Sequence, residues 1–137
     1  MKKEMIVYSV SDSLGGTSQK LLSAVTAQYP DIIFNNSYRF PFINKEEELL
    51  DILRDAIKDD ALVISTLVDG KLASVAREFS QAHGLSYLDL MHPFFEIIKE
   101  KTGTDPIEVP GTLHRLDSEY FNKISAIEFA VKYDDGK

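Results

Sequence analysis

The chain of 137 residues contains no cysteine, which excludes disulfides, thiolate metal ligands and cysteine nucleophiles. Its three histidines, His83, His92 and His114, are far apart in sequence and form no i,i+4 pair, so no zinc site is predicted. No stretch approaches the roughly 18 apolar residues of a membrane span, and the N-terminus lacks the apolar core of a signal peptide. We therefore expect a cytoplasmic protein that neither binds metal nor enters a membrane.

Positive charge is also scarce, because 15 Lys+Arg residues face 22 Asp+Glu residues and give a formal net charge of −7. A surface of that sign repels nucleic acid and anionic lipid, so neither is expected as a partner. A local basic pocket for a small anion is compatible with this balance. Hydrophobic residues make up 44% of the chain and charged residues 27%, and together with the length these values indicate one globular domain.

Short apolar runs alternate with amphipathic stretches, a pattern typical of an α/β fold. The predicted strands cover residues 5–10, 61–66 and 86–90, with a further strand that begins at 32–34 and resumes near Tyr38. Asn44 and Glu47 match a capping box ahead of the second helix, and a C-terminal helix is predicted near 117–131. We expect a small doubly wound, mainly parallel four-stranded sheet in the flavodoxin-like order 2-1-3-4.

The segment after the first strand is the best candidate for chemistry. In an open parallel sheet the ligand crevice lies at the carboxyl ends of the strands, and residues 11–18 begin there and enter a helix. Glycines allow a tight turn, the helix start offers free N–H groups to an anion, and Ser11, Ser13 and Thr17 add hydroxyl donors. An ordinary βα turn needs the same residue types, and no glycine-rich nucleotide fingerprint is present, so both interpretations stay open.

Three further residues belong to this hypothesis. Arg39 follows the second strand and suits a bidentate phosphate grip, although stacking on Phe40 or Phe42 is an equally simple interpretation. Thr66 ends the third strand, on the same rim if the sheet is parallel, and an ordinary strand-end role explains it equally well. His114 lies in the long irregular stretch 104–116, where it is either a phosphate ligand or an ordinary loop histidine. The candidate anion-binding set is Ser11, Asp12, Ser13, Gly15, Thr17, Arg39, Thr66 and His114, and no catalytic residue is assigned.

Several segments resemble, in the right order, the regulatory proteins of pyruvate, phosphate dikinase and phosphoenolpyruvate synthase. Residues 7–17 resemble the start of that family, and 39–42 resemble its Arg-x-Pro-Phe segment. Residues 66–69 resemble its Thr-Leu-Val-Asp, and Pro110-Gly111, His114, Tyr120-Phe121 and 126–136 resemble its most recognisable stretch. Gly16 departs from the pattern, because an acid is common there, and Asn122-Lys123 replaces a more usual arginine context.

The resemblance implies a bifunctional serine/threonine kinase and phosphorylase. Such an enzyme uses ADP to phosphorylate a threonine of the dikinase or synthase, and uses inorganic phosphate to remove that group with release of pyrophosphate. ADP and phosphate are then substrates of the full-length protein, and this domain has no cofactor. The family's phosphate-binding loop follows the segment matched by 134–136, so residues 1–137 are expected to be one α/β domain, the N-terminal part of a longer protein and inactive alone.

The alternative is a non-catalytic docking or dimerisation domain that binds the target enzyme. It predicts that the aromatic side chains of Phe40, Phe42, Phe94 and Phe95 matter more than the polar rim. A Rossmann-type nucleotide enzyme is disfavoured, because the glycine fingerprint and a ribose-binding acid after the second strand are both missing. The sequence leaves open which of the two enzymes is the target, whether the protein is a homodimer, and which residue is the catalytic base.

Overall fold

The computed structural model describes residues 3–111, which form four parallel strands alternating with four helices. The elements are β1 (Lys3–Val10), α1 (Gly16–Thr26), β2 (Ile32–Phe40), α2 (Glu46–Lys58), β3 (Leu62–Ser65), α3 (Gly70–His83), β4 (Ser86–Asp89) and α4 (His92–Thr102). Every strand pair is parallel and the order is β2-β1-β3-β4. The predicted doubly wound α/β sheet and its strand order are confirmed, and the C-terminal helix predicted near 117–131 lies outside the described residues.

Helix α2 shows how the local sequence sets an element. Its apolar residues recur at helical spacing and bury one stripe formed by Leu49, Ile52, Leu53 and Ala56. The predicted capping box is wrong, because the N-cap is Lys45 and no side chain caps the helix. Three consecutive glutamates in the first turn, residues 46–48, supply the negative charge that a helix start favours. No helix within residues 3–111 is long and apolar enough to cross a bilayer.

Within residues 3–111, the two sides of the sheet carry buried clusters of very different size. On the side of α2 and α3, called the α2/α3 side below, 13 buried residues form one cluster that includes Tyr8 and Val10 of β1. On the side of α1, the α1 side, the buried cluster has three members, Val7, Leu22 and Ile64. The alternation of side chains along β1 therefore separates a large core from a small one.

A bulge in β2 decides which side its residues face. Ile6 of β1 pairs with Asn35, but Tyr8 pairs with Tyr38, so β2 carries one extra residue there. The backbone N–H and the hydroxyl of Ser37 donate to Asn35 Oδ1, at 3.2 and 2.8 Å. This irregularity is the interruption predicted ahead of Tyr38, and the strand continues through it.

The bulge reverses the alternation along β2. Phe34, before the bulge, packs with the α1-side cluster, whereas Tyr38 and Phe40, after it, pack with the α2/α3-side cluster. Arg39 pairs with Ser9, whose Oγ accepts a hydrogen bond from Gln19 of α1 at 3.1 Å. The extra residue thus places Arg39 on the α1 side, beside the start of α1.

Candidate functional site

The loops that follow β1 and β3 meet at the point where the chain turns to opposite sides of the sheet. Asp12, 8% exposed, accepts hydrogen bonds from the backbone N–H of Val68 and of Asp69, at 3.0 and 2.9 Å. Its carboxylate is therefore engaged with the β3–α3 loop and lines neither of the cavities described below. Of the predicted set, Asp12 is the residue whose side chain joins the β1–α1 loop to the β3–α3 loop.

The β2–α2 loop holds the β1–α1 loop from the opposite direction. Ser11 N–H donates to the carbonyl of Phe40 at 3.0 Å, and Ile43 N–H donates to the carbonyl of Ser11 at 2.9 Å. Phe42, which has a positive φ of 57°, donates its N–H to the carbonyl of Ser13 at 3.0 Å. Residues 11–13 are thus fixed from both sides before α1 begins.

Within residues 3–111, the start of α1 has no side-chain cap, in contrast to the start of α3. Its N-cap is Gly15, in the left-handed conformation with φ 84°, and it has neither a side-chain cap nor an acidic residue in the first turn. At α3, Asp69 accepts from the N–H groups of Lys71 and Leu72, at 2.8 and 3.2 Å. At α4 the N-cap is Met91, which has no side-chain cap, and Asp89 two residues earlier accepts from the N–H groups of Met91 and His92, at 2.9 and 3.0 Å.

A polar pocket of about 210 Å³ lies on one flank of this helix start. It is called the Arg39 pocket here, and it is lined by Ser9, Ser11, Gln19 and Arg39 together with the loop glycines. Ser11 Oγ accepts a hydrogen bond from Ser13 N–H at 3.0 Å, which turns the hydroxyl groups of the loop toward each other. The exposed guanidinium, the hydroxyls and the unpaired helix start together favour a small anion.

A larger cavity of about 470 Å³ lies on the other flank and is called the apolar cavity. Its polar rim is formed by Ser13, Thr17, Lys20 and Thr66. Its apolar wall is formed by Val68, Met91, Phe95, Ile107 and Val109. Leu14, Gly15 and Gly16 line both this cavity and the Arg39 pocket, so a single turn of backbone separates the two.

Residues 106–111, called the strap, cover one side of the apolar cavity. Glu108 in the strap has a positive φ of 52°, and its carboxylate lies 3.8 Å from Nδ1 of His92. His92 donates through Nε2 to the carbonyl of Leu67 at 3.0 Å. The carboxylate also lies against Gly70, where a Cβ would come within 2.7 Å of Glu108 Oε1. The strap is therefore held where the β3–α3 loop meets α4.

The structure divides the predicted site residues into groups. Ser13, Gly15, Thr17 and Thr66 line the apolar cavity, while Ser11, Gly15 and Arg39 line the Arg39 pocket. Stacking of Arg39 on Phe40 does not fit, because Phe40 packs with the α2/α3-side cluster. His114 lies outside the described residues. Within residues 3–111, no cluster of three or more acidic or histidine side chains is arranged to hold a metal ion.

Sequence reasoning did not place Gln19, Lys20, Met91 or Glu108 at the site, and it named Phe95 only for the docking alternative. Gln19 and Lys20 lie three and four residues after Gly16, and that spacing puts them on the face of α1 nearest the loop. That signal was available from the sequence. Phe95 and Glu108 carry no such signal, since they reach the cavity only through the packing of α4 and the strap.

Comparison with known proteins gives a consistent result. The sequence matches the kinase/pyrophosphorylase family over residues 7–137. It is 93% identical over its full length to a pyruvate, phosphate dikinase regulatory protein of Streptococcus sanguinis, of which it covers 50%. It is 68% identical to a regulatory protein of the same name from Enterococcus faecalis and covers 51% of it. A third relative, from Latilactobacillus sakei, is 42% identical over 131 residues. The chain spans about half the length of these relatives.

Proposed function

The chain belongs to the kinase/pyrophosphorylase family, and from that premise we propose that it forms the N-terminal part of a regulator of pyruvate, phosphate dikinase or phosphoenolpyruvate synthase. The full-length protein would phosphorylate a threonine of its target with ADP, and would remove that group with inorganic phosphate. The phosphate-binding loop for the nucleotide would lie beyond residue 137. This domain would then supply a second phosphate-binding surface to the active site.

One observation carries the proposal: the start of α1 has no carboxylate of its own and faces Arg39. A helix start attracts negative charge, and proteins commonly satisfy it with Asp or Glu, as Asp69 does at α3. At α1 the cap is a glycine, the first turn has no acid, and Arg39 lines the adjoining pocket. A phosphate group would supply the missing negative charge.

The arrangement supports positioning of a phosphate more directly than it supports bond breaking. In the Arg39 pocket, Ser11 offers a hydroxyl group and Arg39 a planar pair of N–H donors. Ser13 and Thr17 offer hydroxyl groups on the cavity side of the same helix start, and Gly15 and Gly16 between them offer close approach to the backbone. Phosphoryl transfer depends mainly on holding the phosphates and neutralising their charge. We assign the domain that role, and we place the nucleotide chemistry in the remainder of the protein.

The first experiment is an NMR titration of the chain with inorganic phosphate, pyrophosphate and ADP. We expect saturable shifts in the amides of residues 11–18, and weakening of phosphate binding by at least about tenfold in Arg39→Ala, because a bidentate charged contact is lost. Arg54→Ala is the matched control, because the exposed side chain of Arg54 pairs only with the exposed Asp51 of the same helix among residues 3–111. No shifts at millimolar ligand, or equal binding by Arg39→Ala and Arg54→Ala, would contradict the proposal.

A docking or dimerisation role is the second candidate, and exposed aromatic rings favour it. Phe42 and Phe94 are 60% and 68% exposed, whereas Phe40 and Phe95 are half-buried. This role predicts that Phe42→Ala abolishes capture of the target enzyme by the chain, while a folded variant of the helix start, Arg39→Ala, captures it normally. Loss of capture in Arg39→Ala with capture retained in Phe42→Ala would exclude it.

A further inference from the structure

We propose that the apolar cavity is the second half of a composite ligand site and binds the apolar group of a phosphate ester whose phosphate lies at the start of α1. This inference rests on the proposed function, which supplies the phosphate half. Leu14, Gly15 and Gly16 line both compartments. A ligand needs only to cross this turn of backbone to occupy both.

The cavity has the size and lining of a small-molecule site. Its volume of about 470 Å³ lies within the range of roughly 300–1,000 Å³ that is usual for such sites. Val68, Met91, Phe95 and Ile107 supply aliphatic and aromatic walls. Among the lining residues within 3–111, Lys20 is the one cation, and it belongs to the same helix as the proposed phosphate site. An apolar group with an anion at one end fits this distribution.

The strap gives the cavity a fixed wall. Glu108 keeps a left-handed backbone that costs energy for a residue with a side chain, and such strain persists only where the surroundings hold it. Its carboxylate faces His92 and the first residue of α3, Gly70, so close that a Cβ on Gly70 would require the carboxylate to shift. Among the lining residues within 3–111, Glu108 is the one acid, and the apolar wall carries Ile107 and Val109 beside it.

The two compartments together specify a ligand chemistry. Inorganic phosphate would fill the Arg39 pocket and leave the apolar cavity to water. A phosphate joined through oxygen to an apolar group would place that group past Leu14 and against Val68 and Ile107. Burying such a group removes apolar surface from water and adds affinity that the phosphate alone lacks.

The test compares phenyl phosphate with inorganic phosphate as NMR probes of the 137-residue chain. We expect phenyl phosphate to bind at least about tenfold more tightly, because the ring is buried, and to shift the methyl groups of Val68, Ile107 and Val109. Val68→Phe fills the cavity, so it should remove this advantage and leave phosphate binding unchanged. Ile107→Ser should reduce it as well, and Ile107 is 69% exposed, so this variant folds without a core penalty.

A third variant tests the wall. In Gly70→Ala the new methyl group would displace the Glu108 carboxylate, and we expect the advantage of phenyl phosphate to fall severalfold with phosphate affinity unchanged. Glu78→Ala, at an exposed position of α3, is the control and should behave as the parent chain. An equal effect of the two variants would contradict the role given to the strap.

Other probes show which kind of compound supplies the apolar group. They also distinguish this inference from the proposed function. If ADP binds more tightly than pyrophosphate, the cavity is assigned to a nucleobase. If a phosphothreonyl-leucine peptide binds more tightly than phosphothreonine, the cavity is assigned to a peptide side chain. Either result supports the composite site. Equal affinities of phosphate and phenyl phosphate, with normal phosphate shifts at residues 11–18, overturn this inference alone. Absence of phosphate binding, with cavity shifts from phenol, overturns both this inference and the proposed function.

Discussion

Within residues 3–111, the two sides of the sheet differ in the size of their buried clusters, and α3 and α1 differ in how they begin. The α2/α3 side has 13 clustered buried residues, and α3 on that side starts on Asp69. The α1 side has three such residues, and α1 starts on an uncapped glycine between two pockets. The α2/α3 side buries most of the apolar side chains, whereas the α1 side leaves a helix start, a cation and an apolar cavity available to a ligand.

The difference explains why the site can be open without unfolding the domain. Residues 11–13 are held by backbone hydrogen bonds to the β2–α2 loop and by Asp12 to the β3–α3 loop. Both of those loops lead into helices of the α2/α3 side. Stability of the larger core thus fixes the geometry of the smaller side.

The largest expected effect comes from paired truncations in the two cores. Leu53→Ala, at a fully buried position of the α2/α3 side, should lower the free energy of unfolding by about 3–5 kcal/mol, because the rigid core cannot collapse around the cavity. Leu22→Ala, on the α1 side and beside exposed Leu21 and Val25, should cost about 2 kcal/mol or less. Denaturant unfolding measures both, and equal losses would show that the two cores do not differ as described.

The second prediction concerns stability at alkaline pH and two tyrosines that pack on the α2/α3 side. Burial raises the pKa of Tyr87 to about 12. Burial, the hydrogen bond to Asp59 and the nearby carboxylates also raise the pKa of Tyr8. The folded state keeps phenol protons that the unfolded chain releases near pH 10, so the contribution of these two phenols to stability should be constant below about pH 9 and fall as the pH rises further. By pH 12 the loss attributable to Tyr87 should reach about 2–3 kcal/mol.

Paired variants test whether Tyr87 causes the decrease in stability with rising pH. Tyr87→Phe should remove the Tyr87 share when unfolding is measured between pH 9 and pH 12. Tyr29→Phe is the control, because that ring is 51% exposed and follows α1, and it should keep the slope of the parent chain. If the loss of stability between pH 9 and pH 12 persisted in Tyr87→Phe and disappeared in Tyr29→Phe, it would arise from Tyr29 and not from Tyr87.

The third prediction weakens the link between the two loops at the switch point. In Asp12→Asn the amide oxygen can take the place of Oδ2, which accepts from Val68 and Asp69, but the NH₂ group then replaces Oδ1 and meets the N–H of Val68. We expect a loss of about 1–2 kcal/mol in unfolding free energy together with shifts in the amides of residues 66–70. Unchanged stability and unchanged amide positions would show that Asp12 does not join the loops.

Much of the fold follows from local sequence, and the parts that do not have identifiable causes. Apolar runs and short connections were sufficient to predict the strands and their order, since a parallel sheet buries its strands on both faces. The capping box failed because Lys45 rather than Asn44 became the N-cap, with three glutamates supplying the negative charge. Local patterns resolve the existence of an element more reliably than its ends.

The site was predicted where its signals are local and missed where they are not. The glycines and hydroxyls of residues 11–17 are contiguous, so the sequence shows them together. The position of Arg39 depends on one extra residue in β2, and the Asn35–Ser37 turn that marks the bulge looks like an ordinary polar stretch. The strap depends on Glu108 meeting Gly70, which are far apart in the chain.

The smallest change in stability gives the sharpest test of the comparison. Thr17→Asp places in the first turn of α1 the carboxylate that the other side already has, and the helix start should gain about 0.3–1 kcal/mol of unfolding free energy. The new carboxylate would occupy the helix start and repel a phosphate group, so phosphate binding should weaken by at least about tenfold. Thr17→Asn, which has the same shape without the charge, should retain most of the binding. A more stable protein that binds phosphate poorly is the result expected if α1 is open for a ligand, whereas stabilisation with undiminished phosphate binding would separate the open helix start from the site.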